Sequence, residues 1–304
     1  MTKNTKLLGA ICVTITSVCY GLVPSFSFLF FRMGVETETL LFNKFLYASI
    51  IMWAFILLRR IEFRFSRKAA LVMCVACAGY IGMSTSLYIS FDYISGSLAT
   101  IVSFTFPAMI VAIEMITGRE PVKMVKILAV ILSFAGLCLI VWAPDMEVNI
   151  IGIVFAFGAA VGYVVYIFGL SAESIKKENS FAIAGYVMAS AAAVNFIRCA
   201  VSGKPLFVTE PAQIGMMILL SVVCVFLAIL FYAIGVRLMG PGNAALVNTL
   251  EPVLACVFGH FLVGDVLTKV MLIGSALVVA AVLLTNLPEK KAEDEVVTVS
   301  DEAS

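Results

Sequence analysis

Charge is scarce in this chain: 13% of its 304 residues are charged, against 62% hydrophobic. So little polar surface cannot clothe a water-soluble core of this size, so lipid has to be the solvent for much of it. A single histidine, His260, leaves no His-x-x-His or His-Glu-x-x-His pair, and neither a metal site nor any other cofactor is expected. No Walker-type phosphate loop occurs, which excludes direct use of ATP. The net charge of +1 offers no nucleic-acid footprint. All eight cysteines fall inside apolar runs and read as small hydrophobes, the pair Cys74 and Cys77 included.

What is present is long apolar segments. A hydrocarbon layer of ~30 Å asks for roughly 20 residues per helix. On that scale the chain divides into ten segments: Leu7 to Phe31, Leu40 to Leu58, Ala69 to Phe91, Ser97 to Thr117, Lys126 to Trp142, Ile150 to Leu170, Phe181 to Val201, Ile214 to Val236, Asn243 to Val263 and Val270 to Leu287. Short connections rich in charge, glycine and proline make neighbouring helices antiparallel. Residues 288–304 are charged, lack apolar periodicity and read as a disordered cytoplasmic tail. With the N-terminus inside, fifteen of the twenty Lys and Arg residues fall on the cytoplasmic side, four on the other, and only Lys44 within a span. That asymmetry predicts cytoplasmic termini for a multi-pass protein of the plasma membrane.

The chain also repeats. A shift of 145 positions places Pro107 on Pro252 and Glu120 on Asp265, with seven identities in 46 pairs; a shift of 143 places Gly9, Val18 and Tyr20 on Gly152, Val161 and Tyr163. Two units follow, residues 1–145 and 146–287, each of five helices. An odd number per unit inverts the second copy. The expected fold is therefore an all-α integral membrane protein of ten transmembrane helices in two inverted five-helix repeats, with a site at their interface.

These residues resemble the EamA family of the drug/metabolite transporter superfamily. The likeness is carried by Leu250-Glu251-Pro252, then Gly264-Asp265 and Ile273-Gly274-Ser275-Ala276-Leu277, and in the first half by Phe106-Pro107, Arg119-Glu120 and Leu132 to Leu139. The chain departs from the family pattern at Asn43-Lys44, where an arginine is usual, and at Asp265, where a glutamate is usual. Members of the family export or import amino acids and other metabolites, so the resemblance implies transport but not cargo. The leading expectation is a secondary transporter of amino acids or similar small polar metabolites, with export the favoured direction and no enzymatic activity.

Ionisable groups within spans are the leading site candidates, because an unpaired charge inside a bilayer needs a cavity or a partner. Glu251 serves either as a cavity carboxylate for an amine or a proton, or as a structural group bonded to a neighbouring helix end. Lys44 either extends inward to a substrate carboxylate or to Glu251, or snorkels to the headgroups. Pro107 and Pro252 each free a backbone carbonyl and kink a span, for alternating access or for packing. Asn248 and Ser103 offer neutral hydrogen bonds, and Tyr20, Tyr88, Tyr163, Tyr166 and Tyr232 offer hydroxyls and rings to a path. Glu114 is expected to reach headgroup water or Arg119, Trp142 to anchor at the outer interface, and Gly158-x-x-x-Gly162 to let a helix approach closely. The partners are a small-molecule substrate and the lipid bilayer, with no nucleic acid; coupling to a proton or counter-substrate and a homodimeric state are left open. A membrane receptor, a lipid scramblase and an intramembrane enzyme are the competing classes.

Overall fold

The computed structural model describes residues 3–62, 64–90, 93–94, 99, 102–118, 124–140, 149–264 and 268–286, and every element among them is helical. The helices are α1 (Lys3–Gly21), α2 (Val23–Arg32), α3 (Thr37–Leu58), α4 (Arg67–Ser90), α5 (Phe106–Ile116), α6 (Met124–Ile140), α7 (Ile150–Ser171), α8 (Glu173–Lys176), α9 (Ser180–Val201), α10 (Pro211–Leu220), α11 (Ala228–Met239), α12 (Pro241–Asn248), α13 (Leu250–Phe258) and α14 (Lys269–Asn286). A π-helical turn, Ser221–Leu227, joins α10 to α11, and a second, Gly259–Val263, extends α13.

Seven of these helices or helix runs are long and apolar enough to cross a membrane: Asn4–Arg32, Thr37–Leu58, Arg67–Ser90, Ile150–Ser171, Ser180–Val201, Pro211–Met239 and Pro241–Val263. The other three expected spans hold shorter apolar stretches, Phe106–Ile116, Met124–Leu139 and Lys269–Leu284. In the fourth segment the cause is local, since a turn at Phe104 and Thr105 starts α5 only at Phe106. Trp142, Arg119, Glu120, Asp265 and the tail at 288–304 lie outside the described residues. Leu71 on α4, Ile131 on α6, Val154 and Phe157 on α7, Ile197 on α9 and Leu272 on α14 stay exposed, an apolar belt that water would not tolerate and lipid would.

Four pairings dominate the packing: α4 with α7, α1 with α11, α6 with α14, and α3 with α9. Exchanging each expected span with the one five positions along converts the first pairing into the second and returns the other two to themselves. The closest approach is glycine-mediated. A methyl group on Gly162 of α7 would lie 2.6 Å from the Met83 amide nitrogen and 2.8 Å from the Gly79 carbonyl oxygen of α4. Across α6 and α14, one on Gly136 would lie 2.5 Å from the Gly274 carbonyl oxygen. Gly158 has only ordinary contact with Ser86, so Gly162 alone carries the close contact that the four-residue glycine spacing suggested.

Prolines set the breaks. Pro107 and Pro252 lack the N–H that would continue the helix ladder and crowd the carbonyl four residues earlier. Each break is closed by a threonine. The Thr105 N–H and hydroxyl both donate to the Val102 carbonyl, at 3.2 and 2.7 Å, and those of Thr249 both donate to the Leu246 carbonyl, at 3.2 and 2.6 Å. Pro24 coincides with a third break, at Leu22 between α1 and α2.

A Gly162→Ala substitution is expected to destabilise the protein by about 1–3 kcal/mol, because the helix backbones must separate. Gly82→Ala on α4 meets nothing within 4 Å and is the control, with a change inside ~1 kcal/mol in thermal unfolding of the detergent-solubilised protein.

Candidate functional site

Helix 9 of the ten-segment reading is two helices, α12 and α13, separated by Thr249. The break gives α13 its own N-terminus, and Glu251 lies in its first turn, where unsatisfied N–H groups favour a negative charge. It also sets Asn248, the last residue of α12, against Glu251. The Asn248 Nδ2 donates to Glu251 Oε2 at 3.2 Å and to the Tyr163 hydroxyl at 3.4 Å, and its Oδ1 accepts from the Ser17 hydroxyl at 3.3 Å. Asn248 is fully buried. With both amide hydrogens and one lone pair committed to the protein, it orients Glu251 and has little left for a cargo.

Around this amide stand tyrosines from four helices. Tyr163 and Tyr166 of α7 and Tyr232 of α11 form a stack, with ring centroids 5.7–6.3 Å apart and planes within 10–18°. Tyr80 of α4 meets Tyr166 edge-on at 5.1 Å, and Phe106 of α5 meets Tyr163 at 4.5 Å. Glu251 is an electrostatic neighbour of Tyr20, Tyr80, Tyr163 and Tyr232. The Tyr20 and Tyr80 side chains approach each other, yet the Tyr20, Tyr166 and Tyr232 hydroxyls meet no partner of good hydrogen-bond geometry among the described residues. Tyr20 and Tyr163, equated by the 143-residue shift, both face the carboxylate.

Lys44 lies inside the bundle, 7% exposed, with its Nζ 5.1 Å from the Phe45 ring centroid and 5.7 Å from that of Tyr88. Snorkelling and a pairing with Glu251 are therefore both absent here: the side chain is covered by protein, and no ion pair joins the two among the described residues. Tyr80 connects the two ends, being a neighbour of Tyr88 on one side and of Tyr20 and Glu251 on the other.

Sequence reasoning missed Tyr80, Ser17 and Cys224. Tyr80 lies eight residues before Tyr88, about two helical turns and so on the same face, which is the signal that would have found it. Ser17 and Cys224 carry no such mark. Pro107 helps line a small apolar cleft with Phe134, Leu137, Thr249 and Val278. Ser103 is buried beside the Phe104 and Thr105 turn, and the Asn243 amide is spent on the Met239 carbonyl at 3.0 Å.

Glu114 is turned into the protein rather than to headgroup water, while Arg119, its other expected partner, lies outside the described residues. Glu114 is 4% exposed, accepts the Gly242 N–H at 3.0 Å near the start of α12, and lies 3.7 Å from the Lys126 ammonium. The carboxylate fills the space a side chain on residue 242 would need. Burial against a helix start, rather than headgroup water, satisfies this charge. At another end of the bundle, Thr39 and Asn43 of α3 donate to the Pro205 and Leu206 carbonyls at 2.6 and 2.7 Å, and Lys204 pairs with Glu36 at 3.0 Å. The hydrogen bond from exposed Lys204 to Glu36 raises its pKa.

Long apolar helices sheathed in exposed hydrophobic side chains, around a carboxylate, an ammonium and a file of tyrosines, define a multi-pass membrane protein, and its likeness to known proteins assigns it to the transporters. The family is specific: the model of the EamA-like transporter family matches residues 7–142 and again residues 150–287, and the chain belongs to that family. It is similar to the uncharacterized transporter YcbK of Bacillus subtilis, with 21% identity over 277 residues, 88% of each chain. It is also similar to an uncharacterized transporter of Archaeoglobus fulgidus, with 27% identity over 191 residues, 62% of this chain and 66% of the other. A solved crystal structure shares the fold, with a TM-score of 0.76 at 17% identity, covering 93% of this chain and 97% of that one.

The contact between Glu114 and Gly242 predicts strong coupling. Gly242→Ala alone should cost about 2–4 kcal/mol in thermal unfolding. Combined with Glu114→Ala, which vacates the space, the loss should fall short of the sum of the two single losses by at least ~1 kcal/mol.

Proposed function

We propose that this chain is a secondary transporter that moves amino acids or similar small polar metabolites, with export the favoured direction, by alternating access of two inverted five-helix repeats. The observation that carries this reading is the half-buried Glu251, held by Asn248 and ringed by tyrosines contributed from both halves of the chain. A carboxylate so placed accepts an ammonium group or a proton, and the aromatic faces favour a cation beside it. Support for two repeats comes from the double match of the family model and from the exchange pattern of the helix pairs. In this reading α5, α6 and α14, together with the residues flanking them, complete ten crossings. The asymmetry of basic residues supports cytoplasmic termini, and in this reading the protein sits in the plasma membrane.

The energy source is the cargo gradient, a proton or a counter-substrate, because the chain carries no Walker loop. Intramembrane catalysis would need a second acid or a nucleophile with its base beside Glu251. Its neighbours among the described residues are an amide and phenols instead. No group of three His, Cys, Asp or Glu side chains able to hold a metal occurs among those residues.

The test is flux from proteoliposomes loaded with a mixture of amino acids. Wild-type protein should release a subset of them, and Glu251→Gln, which preserves shape and the Asn248 contact, should lower that release at least about tenfold at unchanged membrane abundance. Flux equal to wild type in the Gln variant, or no flux of any small solute from correctly folded wild-type protein, overturns the proposal.

A further inference from the structure

A lysine buried inside a helix bundle has to be explained by what neutralises it. Lys44 is 7% exposed, and no carboxylate lies within ion-pairing distance of it among the described residues. Glu251 is engaged with Asn248. The ammonium faces the rings of Phe45 and Tyr88, and the Cys224 thiol on the π-helical turn is its other electrostatic neighbour. Aromatic faces soften the burial of a cation without supplying a counter-charge. Among the described residues nothing supplies the counter-charge, which leaves it to an occupant of the site.

The surroundings also select the kind of anion. A dianionic phosphate is matched by an arginine fork, several cations or a nest of backbone N–H groups. Lys44 contributes one point charge, and its described neighbours are rings and a thiol. A single ammonium suits a monoanion, and the buried Tyr20 hydroxyl, which lacks a well-aligned partner among the described residues, lies further along the same file of tyrosines towards Glu251.

We propose that Lys44 is a specificity-determining residue that receives a carboxylate group of the cargo, so that the site takes molecules carrying a carboxylate and rejects the same molecules with that group neutralised. For the identity of the cargo this rests on the transport reading above; for anion binding it does not. Charge selection then operates at both ends of the file, with a carboxylate at Lys44 and an amine or proton at Glu251.

Binding and flux separate the two claims. Purified protein is titrated with propionate, propionamide and inorganic phosphate at constant ionic strength, with thermal unfolding as the readout. Propionate should raise the melting temperature of wild-type protein while propionamide and phosphate do not. Lys44→Gln should weaken the propionate midpoint about tenfold or more, and Lys44→Arg should retain it. Lys44→Met serves as a second neutral variant should the glutamine variant fold poorly. Equal effects of propionate and propionamide on wild-type protein, or an unchanged propionate response in both neutral variants, overturns the proposal. Stabilisation by phosphate and not by propionate overturns the assigned class of anion. The second arm compares release of amino acids with release of their C-terminal amides from proteoliposomes. The acids should leave faster through wild-type protein, and the neutral variants should lose that preference. A propionate effect that depends on Lys44, with no amino acid flux, leaves the anion site standing and removes amino acids as its cargo.

Discussion

The structure turns on how a carboxylate is kept inside an apolar bundle. Glu251 lies where an unbroken helix would surround it with side chains and offer no free backbone dipole. The break at Thr249 changes this by opening a helix start, and an anion near a helix start is favoured. Breaking a helix among apolar neighbours exposes backbone groups that need partners. Thr249 meets part of that need by returning its own hydroxyl to the Leu246 carbonyl, while Asn248 bonds to α1, α7 and α13 at once. Proline creates the opening, and the short polar side chains beside it make the opening tolerable.

The same economy governs the helix pairs. Among apolar surfaces in lipid there is little hydrophobic gain from helix association, so close backbone approach and interhelical hydrogen bonds decide which helices meet. Gly79 and Gly162 supply the approach for α4 and α7, and Gly136 and Gly274 supply it for α6 and α14. The counterpart of the first pair is built less regularly. On one side Leu22 interrupts the run from α1 to α2, and on the other a seven-residue π-helical turn interrupts the run from α10 to α11. Both related pairs nevertheless close on glycines, Gly79 with Gly162 in one and Gly9 with Gly235 in the other, and the interrupted run of the second carries Tyr20 on α1.

Charges in the interior are handled in three different ways. Glu114 is neutralised within the protein, by the Gly242 N–H and by Lys126. Glu251 is partly satisfied by Asn248 and faces phenols. Lys44 has aromatic faces and no described counter-charge. This gradation runs from an ion cluster that joins helices, at Glu114, to a covered cation with no described counter-charge, at Lys44.

Much of this was legible in the sequence, because hydrophobic length, basic-residue placement and a recurring proline act through local chemistry and through lipid. The residues themselves determined that the chain is all-helical and membrane-embedded, that Pro107 and Pro252 interrupt spans, and that Glu251 and Lys44 are the unusual charges. Three things were decided only by tertiary packing. Glu114 turns inward rather than to headgroup water because Gly242, the second residue of α12, leaves room for its carboxylate, a contact between residues 128 positions apart. Asn248 became an orienting group rather than a free donor because Ser17 and Tyr163 arrive from other helices. Lys44 was able to point outward or inward by sequence, with inward slightly favoured, since its long flexible stem suits both; the neighbours that enclose it, Tyr88 on α4 and the π-helical turn that bears Cys224, are distant in the chain and meet it only in the folded bundle.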